Sequence, residues 1–402
     1  MSAPTPLLTG SVRHFLLRAP RPIGARFSAQ LDCLRWVAAL LVCTTHLRAL
    51  VFFHYQPELH PSAAAKLFYF MHGFGHEAVI IFFVLSGYLV GGETLRQLHR
   101  GEFDVWIYTL RRFTRLYPVY FAALLLGLVL DHAATRHLAG SGLYGILEDI
   151  PLVSYDVVSR LGNDTLLGNL LFCQGVLVPT YGSNVPLWSL ANEAWYYALF
   201  PLLMVPLFAP IRPLGRISGL VLLALGAWFV RGQILLYFSV WLLGVLMHYP
   251  NRPLLRRAWP SLTCTLALMI ALRTHQLDKV PALISDLGIA ITLAFGLSSL
   301  SFADGASFPG AALHQRLAGF SYSLYLTHWP LGLFAFALCQ HLSGHNLRST
   351  LSARSLLIYI LLLLFVYGCA WSLAYFTEHR TADLRKWLGS RLGLARAPVP
   401  PR

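Results

Sequence analysis

LDCLRWVAALLVCTTHLRAL, residues 31–50, decides the fold. It has the length a helix needs to cross a hydrocarbon core, roughly 20 residues for about 30 Å. Arg13, Arg18, Arg21 and Arg26 precede it in the manner of a signal n-region. The apolar run continues past h-region length without a small-residue cleavage site, so the sequence predicts a retained first span. Composition agrees. Of 402 residues, 56% are hydrophobic and only 12% are Asp, Glu, Lys or Arg, with a mean hydropathy of +0.59. Soluble domains carry about a quarter charged residues, which argues against a water-soluble globular enzyme. Disorder, collagen and a disulfide-rich secreted scaffold are excluded by the same figures. A formal charge of +14 would suit nucleic acid, but a polytopic protein keeps its Lys and Arg in cytoplasmic loops, so no nucleic-acid partner is expected. The six cysteines form no CxxC pair, and neither a disulfide framework nor a metal site is expected.

Outward from the first span, hydropathy predicts an all-α, polytopic transmembrane bundle of about ten helices. They fall near 31–53, 77–95, 116–131, 186–209, 214–230, 232–248, 258–273, 281–302, 316–340 and 354–376. With both termini cytoplasmic, 21 of the 31 Lys and Arg fall on inner segments and eight on outer ones; Arg35 and Arg48 lie within the first span. That bias supports the orientation and an even number of spans. The expected organisation is a basic N-terminal extension (1–27), a transmembrane domain (28–380) and a basic cytoplasmic tail (381–402), the tail a surface helix followed by disorder. The outer stretch 132–185 contains Leu166–Val178, read as a re-entrant or interfacial helix.

Ionisable side chains inside a bilayer cost about a few kcal/mol or more, and by default they mark function. Arg35 and His46 are eleven residues apart, so they share a helix face about 16 Å apart along the axis. The plainer reading makes Asp32 and Arg35 an interfacial helix-start pair and His46 an interhelical hydrogen bonder. Glu193 lies about two turns into an apolar, aromatic helix with Ser189 four residues before it on the same face. Such a carboxylate needs a partner, and His46 or an arginine would serve. His328 and the hydroxyls of Tyr322 and Tyr325 form a polar stripe beside Pro330, which frees a backbone carbonyl; interhelical bonding and catalysis contend equally there. Arg111, Arg112 and Arg115 make a dense cationic face suited to phosphate, or to anchoring on anionic lipid.

These pieces, in this order, resemble the acyltransferase 3 family of bacterial integral-membrane acyltransferases that modify cell-surface glycans. The resemblance rests on Leu31-Asp32…Arg35…His46, on Ile81-Phe-Phe-Val-Leu-Ser86-Gly87-Tyr-Leu89 and on Arg111-Arg112…Arg115-Leu-Tyr-Pro118. It continues in Pro186-Leu-Trp188-Ser189-Leu…Glu193…Tyr197…Pro201 and Ser321-Tyr322-Ser323-Leu-Tyr325-Leu…His328…Pro330-Leu, covering about 28–380. Two departures are Trp36, where a small residue is common, and Phe376-Thr-Glu378-His-Arg in place of the usual Glu-then-Pro ending. The second gives Glu378 little claim to a role.

The resemblance implies a cytoplasmic acyl-CoA donor, acetyl-CoA first among them, and an acceptor hydroxyl on a surface or exported glycan or lipid-linked saccharide. It implies a multi-pass protein of the bacterial inner membrane, surrounded by lipid. It makes Arg35 and His46 the essential pair and assigns the CoA end to Arg111, Arg112 and Arg115. His46 is then the candidate general base, with Glu193 fixing its tautomer or stabilising the imidazolium; an acyl-His intermediate is the competing form. Ser86, Ser189, Tyr322, Tyr325 and His328 are candidate supporting residues, and Ser189, Tyr322 and Arg48 are guesses for the oxyanion. The alternative is a proton-coupled secondary transporter of a saccharide or organic anion, with His46, Glu193 and His328 as its relay.

Overall fold

A computed structural model describes residues 21–59, 61–147, 150–250, 252–303 and 308–394. Most of the N-terminal extension and the end of the tail lie outside the described residues. Every regular element among them longer than a bridge is helical: α1 Ala25–Val51, α2 Ala63–Met71, α3 Gly75–Ser86, a π-turn Gly87–Gly91, α4 Gly92–Arg100, α5 Val105–His137 and α6 Asn163–Leu170. There follow α7 Trp188–Phe208, α8 Pro213–Phe229, α9 Gln233–Leu246, α10 Trp259–Arg273, α11 Ala282–Leu300, α12 Ala311–Ala318, α13 Ser321–Ser343, α14 Ala353–Phe376 and α15 Thr381–Arg391. Side-chain chemistry sets several ends. Ser62 caps α2 by accepting from Ala65 N–H, Ser352 and Ser355 form a capping box on α14, and left-handed glycines close α4 at Gly101 and α13 at Gly344.

Each of the ten expected segments carries a helix. By length and composition, five segments suffice to cross a membrane: Ala25–Val51, Ala63–Arg100, Val105–His137, Ala282–Leu300 and Ala353–Arg391. A sixth arises if α8 and α9, bent by 120°, count together. The break lies at Gly232, whose φ of 94° and ψ of −138° is a conformation open only to glycine. Large apolar side chains project outward from these helices, among them Leu361, Leu364, Phe365 and Trp371 on α14. Such faces are unfavourable in water and suited to lipid. The chain is thus an all-α, multi-pass membrane protein.

Two expectations change. The third segment extends well beyond its expected bounds of 116–131: α5 runs for 33 residues, so Arg111, Arg112 and Arg115 lie on its surface. The expected helix Leu166–Val178 is only α6, because Phe172 turns left-handed at φ 56° and Cys173 N–H folds back to the Gly168 carbonyl.

The described residues group into two compact units. One draws on the described residues of 1–34, Val79–Thr109 and Asn192–His314, and the other on those of Arg35–Ala78, Leu110–Ala191 and 315–402. In the first, Trp241, Tyr196 and Phe200 are fully buried, and α9 meets the π-turn backbone to backbone. A Cβ on Gly87 would stand 1.9 Å from the Trp241 carbonyl oxygen, and one on Gly244 would stand 2.0 Å from that of Val84. In the second, α13 packs along α14, and Trp329, Tyr120, Phe336, Leu47 and Phe52 are fully buried.

Candidate active site

The polar residues singled out above assemble in pairs. In the second unit, His46 of α1 meets His328 of α13, with Nδ1 to Nε2 at 2.7 Å and ring centroids 5.0 Å apart. His328 Nδ1 lies 2.8 Å from the Tyr325 carbonyl and 3.1 Å from that of Leu324. A carbonyl only accepts, so Nδ1 of His328 carries the proton and, in the neutral ring, Nε2 accepts. His46 Nδ1–H is then the donor, and His46 Nε2 keeps its lone pair. His328 is wholly buried and His46 half-buried, so the lone pair belongs to the less enclosed partner.

The surroundings of α13 are equally specific. Pro330 has no N–H, which leaves the Leu326 carbonyl without its helical donor; Asn184 Nδ2–H takes that place at 2.9 Å. Tyr325 OH and Ser189 Oγ lie 2.6 Å apart, and Ser189 also donates to the Pro186 carbonyl at 3.2 Å. The loop bearing Asn184 is itself anchored. Asp131 of α5 accepts from Ser183 N–H at 2.7 Å and Ser183 Oγ–H at 2.8 Å. Asn184 and Asp131 are not among the sequence candidates.

The arginine face divides. Arg115 Nη1 donates to Glu378 Oε1 at 3.2 Å, and its guanidinium lies over the Tyr322 ring at 5.2 Å. Glu378 Oε2 accepts from Ser323 N–H at 3.2 Å and Ser323 Oγ–H at 3.1 Å, which caps the first turn of α13 with a carboxylate. Glu378 therefore has a structural role that the departing motif gave no reason to expect. Tyr322 OH donates to the Leu116 carbonyl at 3.2 Å. Arg111 and Arg112 are half-buried on α5, and Arg385 of α15 donates from Nε to Thr114 Oγ1 of the same helix at 3.3 Å. Arg35 is half-buried on α1.

In the first unit, Ser86 Oγ–H donates to Glu193 Oε1 at 2.6 Å, Tyr197 OH donates to the same oxygen, and Trp241 Nε1–H donates to Ser86 Oγ at 3.1 Å. Ser86 immediately precedes the π-turn, a distortion frequent at functional sites. The partner of Glu193 is thus a pair of hydroxyls, and the ring partner of His46 is His328. Among the described residues no cluster of three or more His, Cys, Asp or Glu could hold a metal, and all six cysteines are free.

Comparison with known proteins places these residues in context. Residues 28–375 match the family model Acyl_transf_3, described as an acyltransferase domain. The chain is 26% identical over 398 residues to "Acyltransferase MdmB" of Streptomyces mycarofaciens, covering 91% of this chain and 94% of the relative. It is 27% identical over 134 residues to an uncharacterized protein of Haemophilus influenzae, covering 33% of this chain and half of that one. No solved structure matches. A family model that runs from the first turns of α1 to the last of α14 spans both the His46–His328 pair and the Ser86–Glu193 pair, and the chain belongs to the acyltransferase 3 family of membrane-embedded acyltransferases.

Proposed function

We propose that this acyltransferase moves an acyl group, acetyl first among candidates, from cytoplasmic acyl-CoA to a hydroxyl of a surface or exported glycan, or its lipid-linked precursor. His46 acts as the general base. The observation that carries the reading is the His46–His328 pair, because it leaves a lone pair on Nε2 of the half-buried His46. That nitrogen takes the acceptor's hydroxyl proton as the oxygen attacks the thioester carbonyl, and later returns it to the departing thiolate. His328 assumes the orienting role of the third member of a triad, the role the sequence offered to Glu193.

Arg111 and Arg112 would hold the phosphates of the CoA, since guanidinium forks match phosphate oxygens. Arg115 has Glu378 as its partner and supports their helix. Arg35, three turns from His46, supplies a fixed cation on the same face of α1. Glu193, bonded to Ser86 and Tyr197, serves as the polar centre of the first unit. The topology in this reading is ten crossings with both termini cytoplasmic, in the bacterial inner membrane. Membranes bearing wild type or His46→Ala, supplied with [14C]acetyl-CoA, test the reading. Label is expected in surface polysaccharide only with the wild type; undiminished transfer by the variant would remove His46 from the chemistry.

A further inference from the structure

We infer that the indole Nε1–H of Trp329 is the hydrogen-bond donor to the oxyanion formed on the thioester carbonyl. The inference rests on the reading of His46 as the base. Trp329 has none of its surface exposed, and its Nε1–H has no hydrogen-bond partner among the described residues. A buried donor left unmet costs about 1–3 kcal/mol, and such a group in a native fold calls for a purpose. Its place supplies one: the indole meets the His46 ring edge to face, with centroids 5.9 Å apart. Tyr325, His328, Trp329 and Gly332 fall at i, i+3, i+4 and i+7 of α13 and so share one stripe. The stripe is turned toward α1, since His328 bonds His46 and a Cβ on Gly332 would stand 2.4 Å from Leu47 Cδ2.

The hydroxyl donors on this stripe of α13 and opposite it are committed. Tyr325 OH and Ser189 Oγ bond each other and the Pro186 carbonyl. Tyr322 OH is given to the Leu116 carbonyl. Arg48 is two residues past His46 and projects about 200° around α1 from it.

In the reaction, the acceptor oxygen forms a bond to the thioester carbon as its proton passes to His46 Nε2. The carbonyl π electrons move onto oxygen, where the Trp329 N–H meets the new charge. Collapse restores the carbonyl and breaks the C–S bond, and the departing thiolate takes the proton back from His46. The products are the O-acyl acceptor and free CoA thiol. Only the tetrahedral stage carries full charge on that oxygen, so the bond acts on kcat more than on KM.

The test uses the full chain in inverted membrane vesicles, with [14C]acetyl-CoA as donor and label in the glycan fraction as readout. Trp329→Phe is expected to lower kcat by about 100-fold with KM for acetyl-CoA unchanged, the usual effect of removing one oxyanion donor. Benzothienylalanine at 329, which keeps the indole shape and lacks the N–H, should show the same loss and guards against a packing defect. Trp329→Gln, which restores an N–H, should recover part of it. Wild-type kcat in the benzothienyl protein, or a rise in KM with kcat intact, would overturn the inference. His46→Ala run alongside separates the two ideas. If that variant is inactive and the benzothienyl protein is not, only the Trp329 role falls. If His46→Ala keeps transferring label, the base reading falls.

Discussion

Replacing His328 by leucine puts an apolar side chain in a wholly buried position while removing the acceptor of His46 Nδ1–H. In the proposed mechanism that acceptor does two things. It holds His46 in the tautomer whose Nε2 bears the lone pair, and it receives a strengthened hydrogen bond once Nε2 is protonated in the transition state. A hydrogen bond to a group that becomes charged contributes about 1.5–3 kcal/mol. At 1.36 kcal/mol per decade of rate, the leucine variant should lose roughly 10- to 150-fold in kcat. Acyl-CoA is bound elsewhere in this scheme, so KM should hold. His328→Gln offers an amide oxygen near the place of the imidazole Nε2 and should recover most of the loss. Initial rates of [14C]acetyl transfer in membranes with matched protein, across a range of acetyl-CoA, separate kcat from KM. A leucine variant with wild-type kcat beside an inactive His46→Ala would refute the orienting role. So would a glutamine variant no better than leucine.

Glu378→Ala removes the common partner of Arg115 and the first turn of α13. With Arg115 still 34% exposed the loss is softened to about 2–3 kcal/mol, read as a Tm lowered by several degrees in detergent; an unchanged Tm would show the pair to be incidental. Arg111→Gln with Arg112→Gln should raise KM for acetyl-CoA about tenfold or more while leaving kcat near wild type, and added salt should mimic the effect in the wild type. Equal KM in the two proteins would place the phosphates elsewhere. Gly87→Ala forces a methyl to 1.9 Å from the Trp241 carbonyl, so the yield of monodisperse protein should collapse, whereas Gly127→Ala, with open space at its Cβ, should be silent.

Which of these features the sequence reveals follows from their range. A helix on each expected segment is legible because bilayer length and apolar runs are local properties. The side chains to suspect are legible too, since an ionisable residue amid apolar ones is conspicuous at His46, Glu193 and His328. Their partners are not. His46 and His328 are separated by 282 positions, and Arg115 and Glu378 by 263, so nothing local announces either pair. The rule that isolates Glu193 applies equally to Asp131, at the end of the third expected span, and to Asp286, inside the eighth. Both are buried, Asp131 bound by Ser183 and Asp286 by Tyr237 OH at 2.5 Å. Their signal was present, and like Glu193 each is met by a hydroxyl. Asn184 is harder to find, because its purpose depends on a carbonyl that Pro330 frees on a helix 142 residues away.

That carbonyl points to a common logic in the two polar clusters. Each lies beside a defect in a helix: Ser86 abuts the π-turn Gly87–Gly91, and His328 stands two residues before Pro330. A helix facing lipid cannot leave backbone groups unmet, so a defect at membrane depth has to be covered by protein. Covering takes different forms here. The π-turn is pressed against the backbone of α9 through Gly87 and Gly244, and the Pro330 carbonyl is met by an asparagine from an anchored loop. In both cases the enclosure that satisfies the backbone also shelters the neighbouring side chains from lipid. Serine, glutamate and histidine can then be held within an apolar helical packing with defined partners. The helix-breaking residues are therefore as much a part of the two polar clusters as the ionisable ones, and a proline or glycine break flanked by polar residues is the local pattern that reports a sheltered polar cluster in such a chain.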